Sequence, residues 1–385
     1  MPFRLIDKGI WDYAEKFWKL DSTDFAILKA INVHGPRNLS RVAQELGLSP
    51  AVVNYRAKRM FDGDLVKVFA VIDEEALGLE SVWAFATVPF GREAVAFKAL
   101  TIYPLWRFSC LTEGAFHGAA VRYAVPKGST PDLHAYLSHL KYRGVIESFE
   151  LREAEQYIVP FPNLDFYLES TGPFDWNRWA EEVAEGRFRI HFDREKAGRS
   201  KAGKVNFGWL DLYVLFWLQA DARMKFAEIA RKLVELKGGS VSSWKVKITQ
   251  TYRKTTRRLV RGYGFYILPV SEHAAVRVLV ELSFPNEPRL ESFAGGLDKL
   301  PYPLAFHPYR GLPGGLLHVI VPLYEYYLMV KALRTLAKKC AVESYRILLP
   351  NRGEVWSNFA IYEAFDGEWK FSYELLVDKF KSENL

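Results

Sequence analysis

The sequence predicts an α+β chain of two repeats, each a winged helix-turn-helix followed by a ferredoxin-like βαββαβ domain, packed together as an intramolecular pseudo-dimer. Three observations carry this reading. A helix, a glycine turn and a second helix occupy Leu39 to Met60, LSRVAQELGLSPAVVNYRAKRM. Segments then follow in the order strand, helix, strand, strand, helix, strand, and the order recurs. Matched landmarks also keep a nearly constant spacing. Asp24 and Asp211 are offset by 187, and Arg59 and Arg258 by 199, as are Tyr103-Pro104-Leu105 and Tyr302-Pro303-Leu304. Pro126 and Pro322 are offset by 196, as are Glu147-Ser148-Phe149 and Glu343-Ser344-Tyr345. An offset that jumps once and slips back once describes one module copied with two indels, whereas chance similarity would scatter.

In the first repeat, Phe25, Ile27, Leu28 and Ile31 fall at helical spacing, and His34-Gly35-Pro36 stops that helix. Leu39 to Leu46 is a second helix, with Val42, Ala43 and Leu46 on one face and Gly47 at its end. Ser49 is the natural N-cap, and Pro50 the first-turn proline, of a third helix through Met60. Asp62-Gly63 turns the chain into Leu65 to Ile72, a β-branched stretch suited to a wing or hinge strand. Val82 to Val88, Arg92 to Leu100, Leu105 to Leu111, Ala115 to Val125, Pro131 to Tyr142 and Val145 to Leu151 then alternate as a split βαβ order, with a turn at Thr112-Glu113-Gly114. Helices cover one face of such a sheet; the other face is bare and predicts association.

The second repeat gives helices at Leu210 to Gln219 and Lys225 to Leu236, then a long basic helix between Trp244 and Val260. The same strand and helix order follows to Leu349. The boundaries are 1–72 for the N-terminal helix and first winged unit, 73–179 for the first ferredoxin-like domain and tail, 180–207 for a Lys, Arg and Gly-rich linker, 208–270 for the second winged unit, and 271–385 for the second ferredoxin-like domain and tail. The tail aromatics, among them Phe161, Tyr167, Trp176, Trp179, Tyr362, Phe365 and Trp369, are expected to cover sheets or helices.

The chain has 385 residues, 49% hydrophobic and 15% aromatic, enough for more than one core. Fifty-two Lys and Arg against 45 Asp and Glu give a formal charge of +7, which favours an anionic partner without naming one. Cys110 and Cys340 are too few for a disulfide framework and too far apart for a metal knuckle. The first twenty residues lack a signal-peptide pattern, and no apolar run reaches the roughly 18 residues of a membrane span, so a cytoplasmic protein without membrane contact is expected.

A recognition helix needs short or polar residues at its tip for base edges and cations on its flank for phosphates. Ser49, Asn54 and Tyr55 supply the first, and Arg56, Lys58 and Arg59 the second; the alternative is a trihelical core that only packs. In the second repeat an insertion around Val234 to Ser243 expands the turn. The helix beyond it carries Lys245, Lys247, Arg253, Lys254, Arg257, Arg258 and Arg261, seven cations in seventeen residues. Such a surface suits phosphate contact, and the plain alternative is a solvated helix face. Double-stranded DNA is the expected partner.

The segment LSRVAQELGLSPAVVNYRAKRMFDGDLV, with a strand and a split βαβ domain after it, resembles the Lrp/AsnC family of prokaryotic transcription regulators. The resemblance spans about residues 21–152, and more weakly 210–349. It implies two sheet faces packed as a dimer, here formed within one chain, and small-molecule effectors bound near the turn between the second and third strands. That turn corresponds to Leu111–Gly118, with Thr112, Glu113, Gly114 and His117, and to Tyr309–Leu316, with Arg310 and Gly311 and with His307 just before it. The plain alternative is a hairpin with glycine for its turn chemistry. The family subunit is a single short repeat, so the duplication and the tails are departures.

Siroheme decarboxylases resemble the same family in fold and use His and Arg on this sheet region to hold and protonate tetrapyrrole carboxylates. On that resemblance His307, Arg310, Arg107 and His117 are the candidates for an enzyme reading. The expectation is nevertheless a regulator without catalytic residues, cofactor or metal, acting as a monomeric pseudo-dimer or homo-oligomer. No Gly-x-Ser-x-Gly, phosphate-binding Gly-Lys-Ser/Thr or His-Glu-x-x-His motif occurs. His134 and His139 lie about 140° apart around their helix, which argues against a paired metal site.

Overall fold

Local caps define the first helical unit. In the computed structural model, which describes residues 13–170, 172–188 and 205–383, it comprises α1 (Ser22–His34), α2 (Leu39–Leu46) and α3 (Pro50–Asp62). Asp21 caps α1 through a reciprocal pair with Asp24, each side chain accepting from the other's backbone N–H. Gly47 ends α2 in the left-handed region at φ 62°, where a side chain would be strained. Ser49 accepts from the Val52 N–H, and Pro50 takes the first turn of α3. Leu28 and Ile31, Val42 and Ala43, and Val53 and Met60 interlock as one core, which Leu164 and Tyr167 of the first tail complete.

The strand after α3 is not a wing. Strand β1 (Val66–Ile72) pairs antiparallel with β6 (Val260–Ile267) from the other half of the chain, rather than folding back on its own unit. Packing explains the exchange. Val66 and Val68 face the first helical core, where Phe265 and Ile267 of β6 join them, while Ala70 enters the core of the second unit. The ribbon thus seals both units at once.

The second unit comprises α8 (Trp209–Ala220), α9 (Phe226–Lys237) and α10 (Val241–Lys254), counting two tail helices, α6 (Phe166–Glu169) and α7 (Trp176–Ala184). Leu218, Ile229, Leu233 and Ile248 form its core. The basic helix is shorter than its composition suggests. It stops at Lys254, and Thr256–Leu259 is a 3-10 turn fixed by the Thr256 hydroxyl donating to buried Asp211 at 2.8 Å. The chain must then extend at Val260 to pair with Ile72.

The remaining strands are β2 (Leu79–Thr87), β3 (Trp106–Gly114), β4 (Gly118–Pro126), β5 (Ser148–Ala154), β7 (Ala275–Ser283), β8 (Leu304–Pro308), β9 (Gly314–Pro322) and β10 (Ser344–Ser357). Helices α4 (Glu93–Leu100), α5 (Thr130–Tyr142), α11 (Glu287–Gly296) and α12 (Leu323–Lys338) occupy the expected connections. All eight strands form one antiparallel sheet in the order β5-β2-β4-β3-β10-β7-β9-β8. Bridges from Ala154 to Tyr309 and from Ile158 to Phe306 join its two ends. The faces left bare by the helices therefore meet around Trp83, Phe85, Phe108, Leu279, Leu316 and Leu348.

The tails cross over. Trp176, Trp179 and Val183 of α7 pack with Phe293 and Leu333 of the second half, and Leu376, Val377 and Phe380 of α13 (Tyr373–Ser382) pack with Leu133 and Leu137 of the first. Phe365 and Trp369 sit with Phe207 near the second helical unit. The expected linker 180–207 begins inside α7, and its residues 189–204 lie outside the described residues.

Candidate nucleic-acid interface and interior site

On α3, Tyr55 and Lys58 are exposed, whereas the two arginines are held from within the chain. Asp24 is 0% exposed. Arg56 donates to Asp21 at 2.8 Å and to Asp24 at 3.0 Å, and Arg59 donates to the other oxygen of Asp24. Two guanidiniums thus compensate one buried carboxylate, which would otherwise be costly to bury. The Asn54 amide donates to the Pro50 carbonyl at 2.7 Å, and Ser49 is occupied as the cap. Four of the six expected α3 residues are engaged by their own unit.

The second unit differs. Ser240 caps α10, and Gly238 and Gly239, both at positive φ, carry the expanded turn, whose Gly238 carbonyl accepts from the Trp244 indole at 2.7 Å. Lys245, Lys247, Arg253 and Lys254 stand exposed on α10, and Arg257 and Arg258 on the 3-10 turn after it. Among the described residues no ion pair neutralises the four cations of α10 or Arg257. Lys247 Nζ lies 4.6 Å from the Trp244 ring centroid. Arg261 is turned away, donating to Gln156 at 2.7 Å and to the Tyr157 carbonyl.

Direct contacts tie the helical units together. The Arg37 guanidinium sits 4.4 Å from the Phe226 centroid and donates to the Met224 carbonyl. Arg223 reciprocates, 4.2 Å from the Phe61 centroid and 3.6 Å from Asp62.

The first expected effector turn is largely strand. Thr112, Glu113 and Gly114 belong to β3 and pair with Pro350, Leu349 and Leu348 of β10, so the turn itself is residues 115–117. Gly114 is required there, since a Cβ would lie 2.7 Å from the Ile347 carbonyl oxygen at φ +108°. Thr112 is buried, while His117 bonds Glu113 at 2.8 Å and Glu93 at 3.1 Å under the Phe90 ring. The hydrogen bond to Glu113 raises the His117 pKa.

Around the second turn, Arg310 and Gly311 are in the loop, and Arg310 lies 3.7 Å from Glu80 and 3.9 Å from Glu153. His307 is instead a buried β8 residue between Tyr157 and Trp83, and its Nδ1 meets no partner among the described residues. Burial, aided by Arg122, holds its pKa well below the usual histidine value. Next to this turn lies a cavity of about 480 Å³, lined by Glu150, Arg152, Glu281, Tyr309, Gly314 and Arg346. Arg346 bonds Glu150 at 3.0 Å and also pairs with Glu281, which accepts from Tyr309 at 3.1 Å. The sequence reading missed these charged residues. The available signal was that Glu150 and Arg346 stand at the 196 offset with opposite charge.

The four residues of the enzyme reading do not converge. Arg107 and Arg122 share buried Glu74, at 3.3 Å and 2.8 Å, and Arg122 stacks over Tyr157 beside His307. Arg310 and His117 are engaged elsewhere, by Glu80 and Glu153 and by Glu93 and Glu113. Among the described residues no group of His, Cys, Asp and Glu could hold a metal ion, and no helix is long and apolar enough to cross a membrane.

Residues 20–60 match the family model of the AsnC-type helix-turn-helix domain, so the chain carries a helix-turn-helix domain of that type. Among solved structures, the chain is similar to the siroheme decarboxylase NirDL in co-complex with an iron-uroporphyrin III analogue, at 12% identity and a TM-score of 0.49, over 94% of this chain and 100% of that one. It is also similar to E. coli AsnC, at 17% identity and 0.28, over 35% of this chain and 91% of that one. B. subtilis LrpC gives 18% and 0.29, over 35% and 94%. No curated protein sequence matches the chain.

Proposed function

We propose that the protein is a sequence-specific transcriptional regulator whose two helical units engage one DNA duplex. The observation that carries this reading is the AsnC-type domain at 20–60, joined by the β1–β6 ribbon to a second three-helix unit with unpaired cations. On this reading the chain is a duplicated module folded as its own dimer; the crossed tails and the sheet joined at both ends support it. The units divide the work. Arg56 and Arg59 are spent on Asp21 and Asp24, leaving Lys58 as the free cation of α3 among the described residues, so α3 serves mainly sequence reading, while Lys245, Lys247, Arg253, Lys254 and Arg257 grip phosphates.

The cavity beside Tyr309–Leu316 is the proposed effector site. Its paired carboxylates and guanidiniums suit a small zwitterion, with Glu281 and Arg346 as counter-charges. Gel shifts against genomic fragments, with and without small amino and carboxylic acids, test both parts. Retarded fragments whose affinity responds to such a molecule are expected; no retardation at low salt removes the regulator reading.

A tetrapyrrole-directed enzyme is the competing reading. The observation on its side is that His307 and Arg107 share one buried cluster. Against it, Glu74 already occupies both arginines of that cluster. Mixing the protein with an iron porphyrin carboxylate separates the readings: a shifted Soret band favours the enzyme, an unchanged spectrum the regulator.

A further inference from the structure

We infer that the recognition helices read thymine through apolar contacts made by Val52 and Tyr55 on α3 and by Val246 on α10. The inference rests on the DNA-binding reading above. Most of the polar groups that would read base edges from α3 are engaged: Ser49 is the helix cap, Asn54 bonds Pro50, and Arg56 and Arg59 are held by Asp21 and Asp24. What projects instead is Val52, 40% exposed, and Tyr55, 70% exposed, three residues apart and so on one helix face.

The second unit repeats one of these two positions, with Ser243 standing where α3 has Val52. Ser49 accepts from the Val52 N–H and Ser240 from the Ser243 N–H, which puts the two N-caps in register. Counted from those caps, Tyr55 and Val246 occupy the same position, and Val246 is 56% exposed. A valine left in water on each recognition helix gains nothing for the fold, because the burial that normally rewards it is absent. In the B-form major groove, the C5-methyl of thymine is the apolar group a base pair presents, and a side chain of this kind can cover it. Lys58 and the α10 cations supply the phosphate contacts that would seat the helices there.

Replacing thymidine by deoxyuridine removes that methyl and leaves every hydrogen-bonding edge in place. Duplexes enriched by the wild-type protein from a random-sequence pool are resynthesised with deoxyuridine and their affinities compared. Binding is expected to weaken roughly fourfold for each methyl removed, the value of one covered carbon. Val52→Ser and Val246→Ser should each bring the ratio between the two duplex forms toward one. Their melting midpoints check that both variants fold, and the wild-type comparison stands without them. Equal affinity for the two duplex forms, with DNA binding retained, overturns the apolar readout and leaves the DNA-binding reading in place. Enrichment of no duplex at all overturns both.

Discussion

Glu150 and Arg346 stand 196 residues apart, the same offset as Pro126 and Pro322, and they form an ion pair at 3.0 Å. In a two-fold arrangement, equivalent positions near the axis meet one another. Like charges there would repel; on the proposed duplicated-module reading one position is acidic and its counterpart basic, a pairing available to a single chain and closed to a symmetric homodimer. Both side chains are more than one-third exposed, so the pair is screened. A double-mutant cycle of Glu150→Ala and Arg346→Ala, measured by urea denaturation, should return a coupling of about 0.5–1 kcal/mol. Zero coupling would mean that each group is held by its other partner, Glu150 by Arg152 and Arg346 by Glu281, or by solvent.

The Asp24 carboxylate gives a larger effect. Arg56→Ala leaves Arg59 to compensate it and should cost about 1–2 kcal/mol. Removing both arginines strands a fully buried charge and should cost about 3–5 kcal/mol. Denaturant midpoints check this, and Asp24→Asn in the double-arginine background should recover part of the loss. Retained stability in the double variant would free these cations for phosphate contact.

The helical unit around residues 20–60 was legible because its determinants are local: Gly47 for the turn, Ser49 and Pro50 for the entry to α3. Of the wing or hinge readings of Leu65 to Ile72, the wing one failed because the partner strand lies nearly two hundred residues away, and a strand's pattern does not name its partner. Thr112 to Gly114 read as a turn for the same reason, since β10 draws them into the sheet. The basic helix read too long because Asp211, which fixes Thr256, sits on another element. Of the candidate site, the cations were legible as residues, but their pairing with Asp21 and Asp24 was not.

Arg37 should act as a strut between the helical units. Arg37→Ala removes the contact with Phe226 and the bond to Met224, and should lower stability by about 1–2 kcal/mol. Arg37→Lys restores charge without the planar fork and should recover only part of it. Thermal melts measure the loss. A melting midpoint unchanged by Arg37→Ala would show that the β1–β6 ribbon alone holds the units.

His307 should make the fold acid-sensitive. Its folded pKa lies well below the 6.5 of a free histidine, so the unfolded state binds its proton first as pH falls. Stability contributed by the neutral ring is therefore present above 6.5 and declines below it. Urea midpoints taken from neutral pH downward should fall more steeply for the wild type than for His307→Gln. Parallel curves would place the acid sensitivity elsewhere.

Affinity for duplex DNA as a function of salt tests the DNA-binding claim most directly. The logarithm of the wild-type binding constant should fall linearly with the logarithm of salt concentration. Replacing Lys245, Lys247, Arg253 and Lys254 together by alanine should flatten that slope by roughly 0.9 for each phosphate no longer neutralised. No detectable duplex binding at low salt, or a slope unmoved by the four substitutions, would contradict the role assigned to the second helical unit.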